Sequence, residues 1–216
     1  MGTRHEPSIY EGPSTEARLN VLGLDVQWLV DAVRVSELER RSCSVLEPSN
    51  CPGIKAWAAA FRTLAEQLID RGWTKVETSG LPRIVNPKTA VAIAVLSGDD
   101  AVGRRDRDPK SKSPRGEQSA LLVRSNQRQL ALFEERPFVP VPADEEQITW
   151  WLLIYSNEHG ALRAELSLPV GLGDDDRFST WKERILFDIP EVDQLPRSFE
   201  DHEPPLEIEV SVRPKA

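Results

Sequence analysis

Asp99 and Asp100 are the residues best placed to do chemistry, because they follow directly on the apolar run Thr89 to Leu96. Acids just past the end of a buried strand are common metal ligands and catalytic groups. A metal-dependent nucleic-acid enzyme would use them with a further acid and a lysine at E-x-K-like spacing on the next strand. No such pair follows, so a polar loop start is the plainer reading and the enzyme is held as an alternative. Cys43 and Cys51 are separated by seven residues, and His5, His159 and His202 are scattered. A zinc site takes about four ligands, usually beginning from closer pairs. A reduced pair is therefore expected, with a local disulfide left open and no metal assigned. The run Asp174 to Asp176 lacks calcium-loop spacing, and the chain contains no G-x-S-x-G, G-x-x-x-x-G-K-[ST] or H-E-x-x-H. Gly171-Leu172-Gly173 lacks the third glycine of a dinucleotide loop. No catalytic residue and no cofactor are assigned.

A second feature is charge. Arg104, Arg105, Arg107, Lys110, Lys112 and Arg115 lie close together, opposed by Asp106 and Asp108. Grouped cations of this kind suit contacts to nucleic-acid phosphates. A solvated linker is the competing reading. No aromatic residue interleaves, so base stacking is not supported. The chain as a whole carries a net charge of −8, which argues against nucleic-acid binding outside such a cluster.

The third feature is the five-residue stretch Gln129-Leu130-Ala131-Leu132-Phe133. Its Q-L-x-L-F pattern resembles the short peptide by which bacterial replication and repair proteins dock on the DNA polymerase sliding clamp. The resemblance implies that Leu130, Leu132 and Phe133 enter apolar pockets while the Gln129 amide hydrogen-bonds at the rim. It further implies a non-enzymatic bacterial or mobile-element protein acting in or against DNA replication and repair. The competing reading is an ordinary strand with Leu130 and Leu132 facing inward. A third possibility is an adaptor or inhibitor binding another protein through its tryptophans. Trp150 and Trp151 are adjacent, so on a strand they point to opposite faces, and one is exposed unless both faces are covered.

These features need elements to hold them. The 216 residues are 39% hydrophobic and 29% charged, with 17 prolines, a composition that suits one domain with a substantial core. No apolar run reaches the roughly 18 residues of a membrane span. Residues 1–13 carry no signal-like apolar core, so a cytoplasmic protein without membrane contact is expected.

Residues 1–14 read as a flexible arm. Asp25 is placed to cap a helix bearing Val26, Leu29, Val30 and Val33 on one stripe. A second helix spans about 53–70, stopped by Gly72. Strands follow at 73–77 and 89–96, with a short extended piece and a turn at 81–87 between them. The stretch 98–119 has little apolar content and reads as a charged mobile loop. The segment 120–146, which carries the Q-L-x-L-F match, reads as extended on account of its prolines. Strands are expected at 148–155, 161–168, 181–187 and 206–212, all within 147–216. Together with the helices and first strands of 15–97, this makes an α+β domain: N-terminal helices, then a mostly antiparallel sheet, with the charged loop inserted.

Overall fold

The computed structural model describes residues 6–135, 147–157 and 159–190. Its order is β1 (Ser8–Tyr10), α1 (Pro13–Val21), α2 (Val26–Arg41), α3 (Cys51–Ile69), β2 (Thr74–Thr78), β3 (Leu81–Val85) and β4 (Val91–Ser97). Then come α4 (Glu117–Glu135), β5 (Ile148–Ser156), β6 (Leu162–Leu172) and β7 (Phe178–Phe187). One sheet runs β1-β7-β6-β5-β4-β3-β2.

The sheet is mixed, where a mostly antiparallel one was expected. β4 and β5 pair in parallel, as do β1 and β7. A parallel neighbour requires a crossover connection, usually helical, and α4 supplies it between β4 and β5. The helices are accordingly not all N-terminal. Residues 117–135 are helical, not extended, because the segment's prolines begin only at Pro137. Before them stand good helix formers (Leu, Ala, Gln, Arg and Glu), with Leu122, Val123, Asn126 and Leu130 at helical spacing. Within the stretch expected as an arm, residues 8–10 form β1, with Ile9 opposite Arg184 on β7, and α1 begins at Pro13. The expected strand 206–212 and the stretch 136–146 lie outside the described residues.

Local signals explain the two long helices. The Asp25 carboxylate accepts from the Gln27 backbone N–H at 2.7 Å, capping α2. α3 is closed by Gly72, whose φ of 85° is one that glycine adopts without strain. This lets Trp73 N donate to the Leu68 carbonyl at 3.1 Å. α2 and α3 pack as a hairpin against one face of the sheet. Leu29, Val33, Leu64 and Leu68 meet Ile93, Trp150, Leu152 and Ile185 there. On the other face Leu122 and Val123 of α4, with Val102, cover Ala94, Trp151, Leu153 and Trp181. Both faces are covered, so Trp150 and Trp151 are both buried and neither offers the surface an exposed tryptophan would.

The connection 98–116 is anchored, where its composition suggested mobility. Buried Arg184 donates to the carbonyls of Arg104 (2.8 Å) and Arg107 (2.9 Å). The Trp181 indole N–H donates to the Pro109 carbonyl at 2.9 Å. Asp99 N bonds the Lys110 carbonyl, and Lys112 N bonds the Ser97 carbonyl. These anchors are backbone groups and a few small apolar residues, which a count of charged side chains overlooks. Gly98 belongs to the same closure: a Cβ there would lie 2.2 Å from Val102 Cγ2, so the chain reverses in space only glycine leaves free.

Candidate functional site

Polar groups converge where β4 and β5 end side by side. Ligands in sheets with parallel neighbours favour the carboxyl ends of strands. Here those ends, Ser97-Gly98-Asp99 and Ile154-Tyr155-Ser156, face the C-terminal part of α2 and the first turns of α3 across a cleft of 140 Å³. At its base lies Glu37, buried on α2. Its Oε2 accepts from the Ser156 hydroxyl at 2.7 Å and from Arg40 Nε at 3.3 Å. Its Oε1 accepts from Arg41 Nε at 2.6 Å. Arg40 also donates to Ser156 Oγ through Nε and Nη2, both at 3.0 Å. Helical spacing from Glu37 to Arg40 and Arg41 puts all three on one face. The antiparallel hairpin β5–β6 brings Ser156 to them.

The opposite wall is Trp57 of α3. Its indole N–H donates to the Val95 carbonyl at 3.1 Å, which fixes the ring while leaving it 38% exposed. Ala56, Val95, Leu96 and Ile154 complete an apolar lining, with Asp99, Lys112 and Tyr155 around the mouth. Arg163 lies over the Tyr155 ring at 4.7 Å, so that side of the mouth is braced by a cation–π contact.

The arrangement offers hydrogen-bonding groups and an apolar wall to a bound group. A serine bonded to a carboxylate resembles an activated nucleophile, but activation requires a basic partner. Here the Glu37 carboxylate is already held by two guanidinium groups, and the Ser156 oxygen itself accepts from Arg40. Asp99 lines the cleft mouth and its Oδ1 accepts from Ala101 N at 3.1 Å. Asp100 is exposed and bound to Arg107 at 2.9 Å, which holds its carboxyl below its usual range through that hydrogen bond. Among the described residues, the one cluster of three or more His, Cys, Asp or Glu side chains close enough to share an ion includes neither acid.

Three of the basic residues are paired with acids. Arg105 pairs with Glu11, Arg107 with Asp100 and Lys110 with Asp175. The Arg115 guanidinium donates to the Pro114 carbonyl at 3.2 Å, and burial pushes its pKa down. Lys112 stands apart at the cleft mouth. The Q-L-x-L-F residues lie on α4: Gln129 is buried at 4% exposure, Leu130 packs against the helix-side core, and Leu132 and Phe133 fall in the last turn. Three residues earlier the Asn126 amide bridges two strands. It donates to the Thr149 and Pro169 carbonyls (3.0 Å each) and accepts from Thr149 N at 2.9 Å.

Sequence reasoning passed over Glu37, Arg40, Trp57, Ser156 and Asn126. The one readable signal was Glu37 continuing the apolar stripe of α2, four residues after Val33. Its partner Ser156 lies over a hundred residues away. No family model, curated protein or solved structure matches the chain, so a functional reading rests on this geometry.

Proposed function

We propose that the protein acts by binding and not by catalysis, taking an apolar side chain of a protein partner into the cleft between α3 and the ends of β4 and β5. The supporting observation is a half-exposed Trp57 beside a cleft of 140 Å³. That volume is below the roughly 300–1,000 Å³ of small-molecule pockets but suits one inserted anchor residue. Aromatic and arginine side chains around a small pocket are the usual composition of interface hot spots. Ile54, one turn from Trp57 on α3, is also exposed, as are Val45 and Leu46 on the loop that leads into α3.

The test is photo-crosslinking from a reactive residue placed at Ile54, in the cells that make the protein, with and without Ala56→Trp to fill the cleft. A discrete cross-linked partner that disappears with Ala56→Trp supports the reading. Cross-linking that is absent, or unchanged by filling, overturns it.

Docking on a DNA sliding clamp through Gln129, Leu130, Leu132 and Phe133 is the second reading. The match lies on α4, where Gln129 is buried and Leu130 packs against the core, so docking would require residues 129–133 to leave the helix. Release would give up part of Leu130's burial, roughly 1–2 kcal/mol, against about 1.5–3 kcal/mol for each apolar side chain inserted into the clamp. Leu132→Ala with Phe133→Ala should abolish clamp binding by the full-length protein while Ala56→Trp leaves it intact. Failure of the protein to bind a clamp at all removes this reading.

A further inference from the structure

We propose that Cys43, Glu47 and Cys51 form a binding site for a thiophilic divalent cation of the zinc type on the loop joining α2 to α3. The two cysteines flank that loop, Cys43 just past the end of α2 and Cys51 as the first residue of α3. The helical hairpin therefore closes a sequence gap too wide to suggest a zinc pair. Their Sγ atoms are 3.8 Å apart, and a Glu47 carboxylate oxygen lies within 4.8 Å of both. A tetrahedral ion with metal–sulfur bonds of about 2.3 Å sets two sulfur ligands about 3.8 Å apart, the edge of the tetrahedron. A disulfide would need the same atoms at about 2.05 Å. The pair thus has the separation of two ligands of one ion.

The surroundings complete the site. Ser44 N donates to Glu47 Oε2 at 2.7 Å and Lys55 Nζ to Oε1 at 2.8 Å, which fixes the carboxylate beside the two thiols, as outer partners of metal ligands do. Two thiolates and one carboxylate outweigh a divalent cation by one negative charge, which the Lys55 ammonium offsets. Sulfur ligands select zinc-like ions over magnesium or calcium. Three protein ligands leave a fourth position to solvent. An ion here would tie the start of α3 to the end of α2, between Arg40 and Gly53, both of which line the cleft. The site stands independently of what the cleft binds.

The experiment is titration of the reduced full-length protein with Co2+, followed by displacement with Zn2+. One equivalent of Co2+ should produce thiolate-to-cobalt charge-transfer absorption and the strong visible bands of tetrahedral coordination, both removed by Zn2+. Cys43→Ser and Cys51→Ser should each weaken binding by more than the roughly 10–100-fold that loss of an outer partner causes. Glu47→Gln should weaken it measurably while keeping the sulfur bands. Circular dichroism of each variant establishes that it is folded, and the Glu47→Gln result holds even where a cysteine variant is not. No cobalt spectrum, binding that survives both serine changes, or an intact mass two hydrogens light from a Cys43–Cys51 disulfide in protein purified without reductant would each overturn the proposal.

Discussion

Two clusters in this protein are built from the same three residue types and differ in where the fold puts them. In the first, Glu165 on β6 accepts from Arg184 Nε (2.9 Å), Arg184 Nη2 (2.7 Å), the Ser167 hydroxyl (2.6 Å) and Gly103 N (2.8 Å). Both charged side chains have no exposed surface, and the remaining Arg184 donors hold carbonyls of the 98–116 connection. In the second, Glu37, Arg40 and Ser156 bond one another at the base of an open cleft, and the arginine stays partly exposed. The first arrangement has no free donor or acceptor to offer and serves as an anchor. The second keeps one side toward solvent beside an exposed indole. Residue chemistry alone does not separate an anchor from a binding site; burial and the number of bonds already made do.

Substitutions should separate the two clusters in order of effect. Arg184→Met leaves the Glu165 carboxylate buried without its cation, a change that costs about 3–5 kcal/mol. Denaturant unfolding should show that loss together with increased proteolysis between residues 98 and 116, and a loss under 1 kcal/mol would mean the pair is not an anchor. Gly98→Ala tests the same connection through packing, with an expected loss of roughly 1–3 kcal/mol from the overlap with Val102.

Glu37→Gln belongs to the open cluster. Because Arg40 and Arg41 are partly solvated, it should cost only about 1 kcal/mol in unfolding experiments while abolishing partner capture. A loss as large as that of Arg184→Met would make the two clusters equivalent and undo the contrast. Asp25→Ala, remote from both, should cost about 1 kcal/mol through the lost helix cap and leave capture unchanged.

The contrast also explains what the sequence could disclose. The stripe of α2, its cap at Asp25, the stop at Gly72 and the alternating strands β4 to β7 are local patterns, and they were legible. The mixed order of the sheet was not, because β4 and β5 are brought together by a crossover whose helix was obscured by the proline-rich residues just after it. Reading Leu130 and Leu132 with a period of two concealed that Leu122, Val123, Asn126 and Leu130 share a helical face. Charged side chains made 98–116 look unanchored, although its backbone is what Arg184 and Trp181 hold. The cleft was hidden for the same reason: Glu37, Trp57 and Ser156 carry no motif and meet only through long-range packing. Cys43 and Cys51 looked too far apart because spacing was judged along the chain instead of across a helical hairpin.

The binding role of the cleft is tested most directly by calorimetric titration of the purified cross-linked partner into the protein and into its Ala56→Trp form, with matching circular dichroism as the folding control. Filling the pocket that receives a hot-spot side chain should remove at least about 2 kcal/mol, roughly a 30-fold loss of affinity. Affinities that agree within twofold would contradict the assignment of the cleft as the docking site.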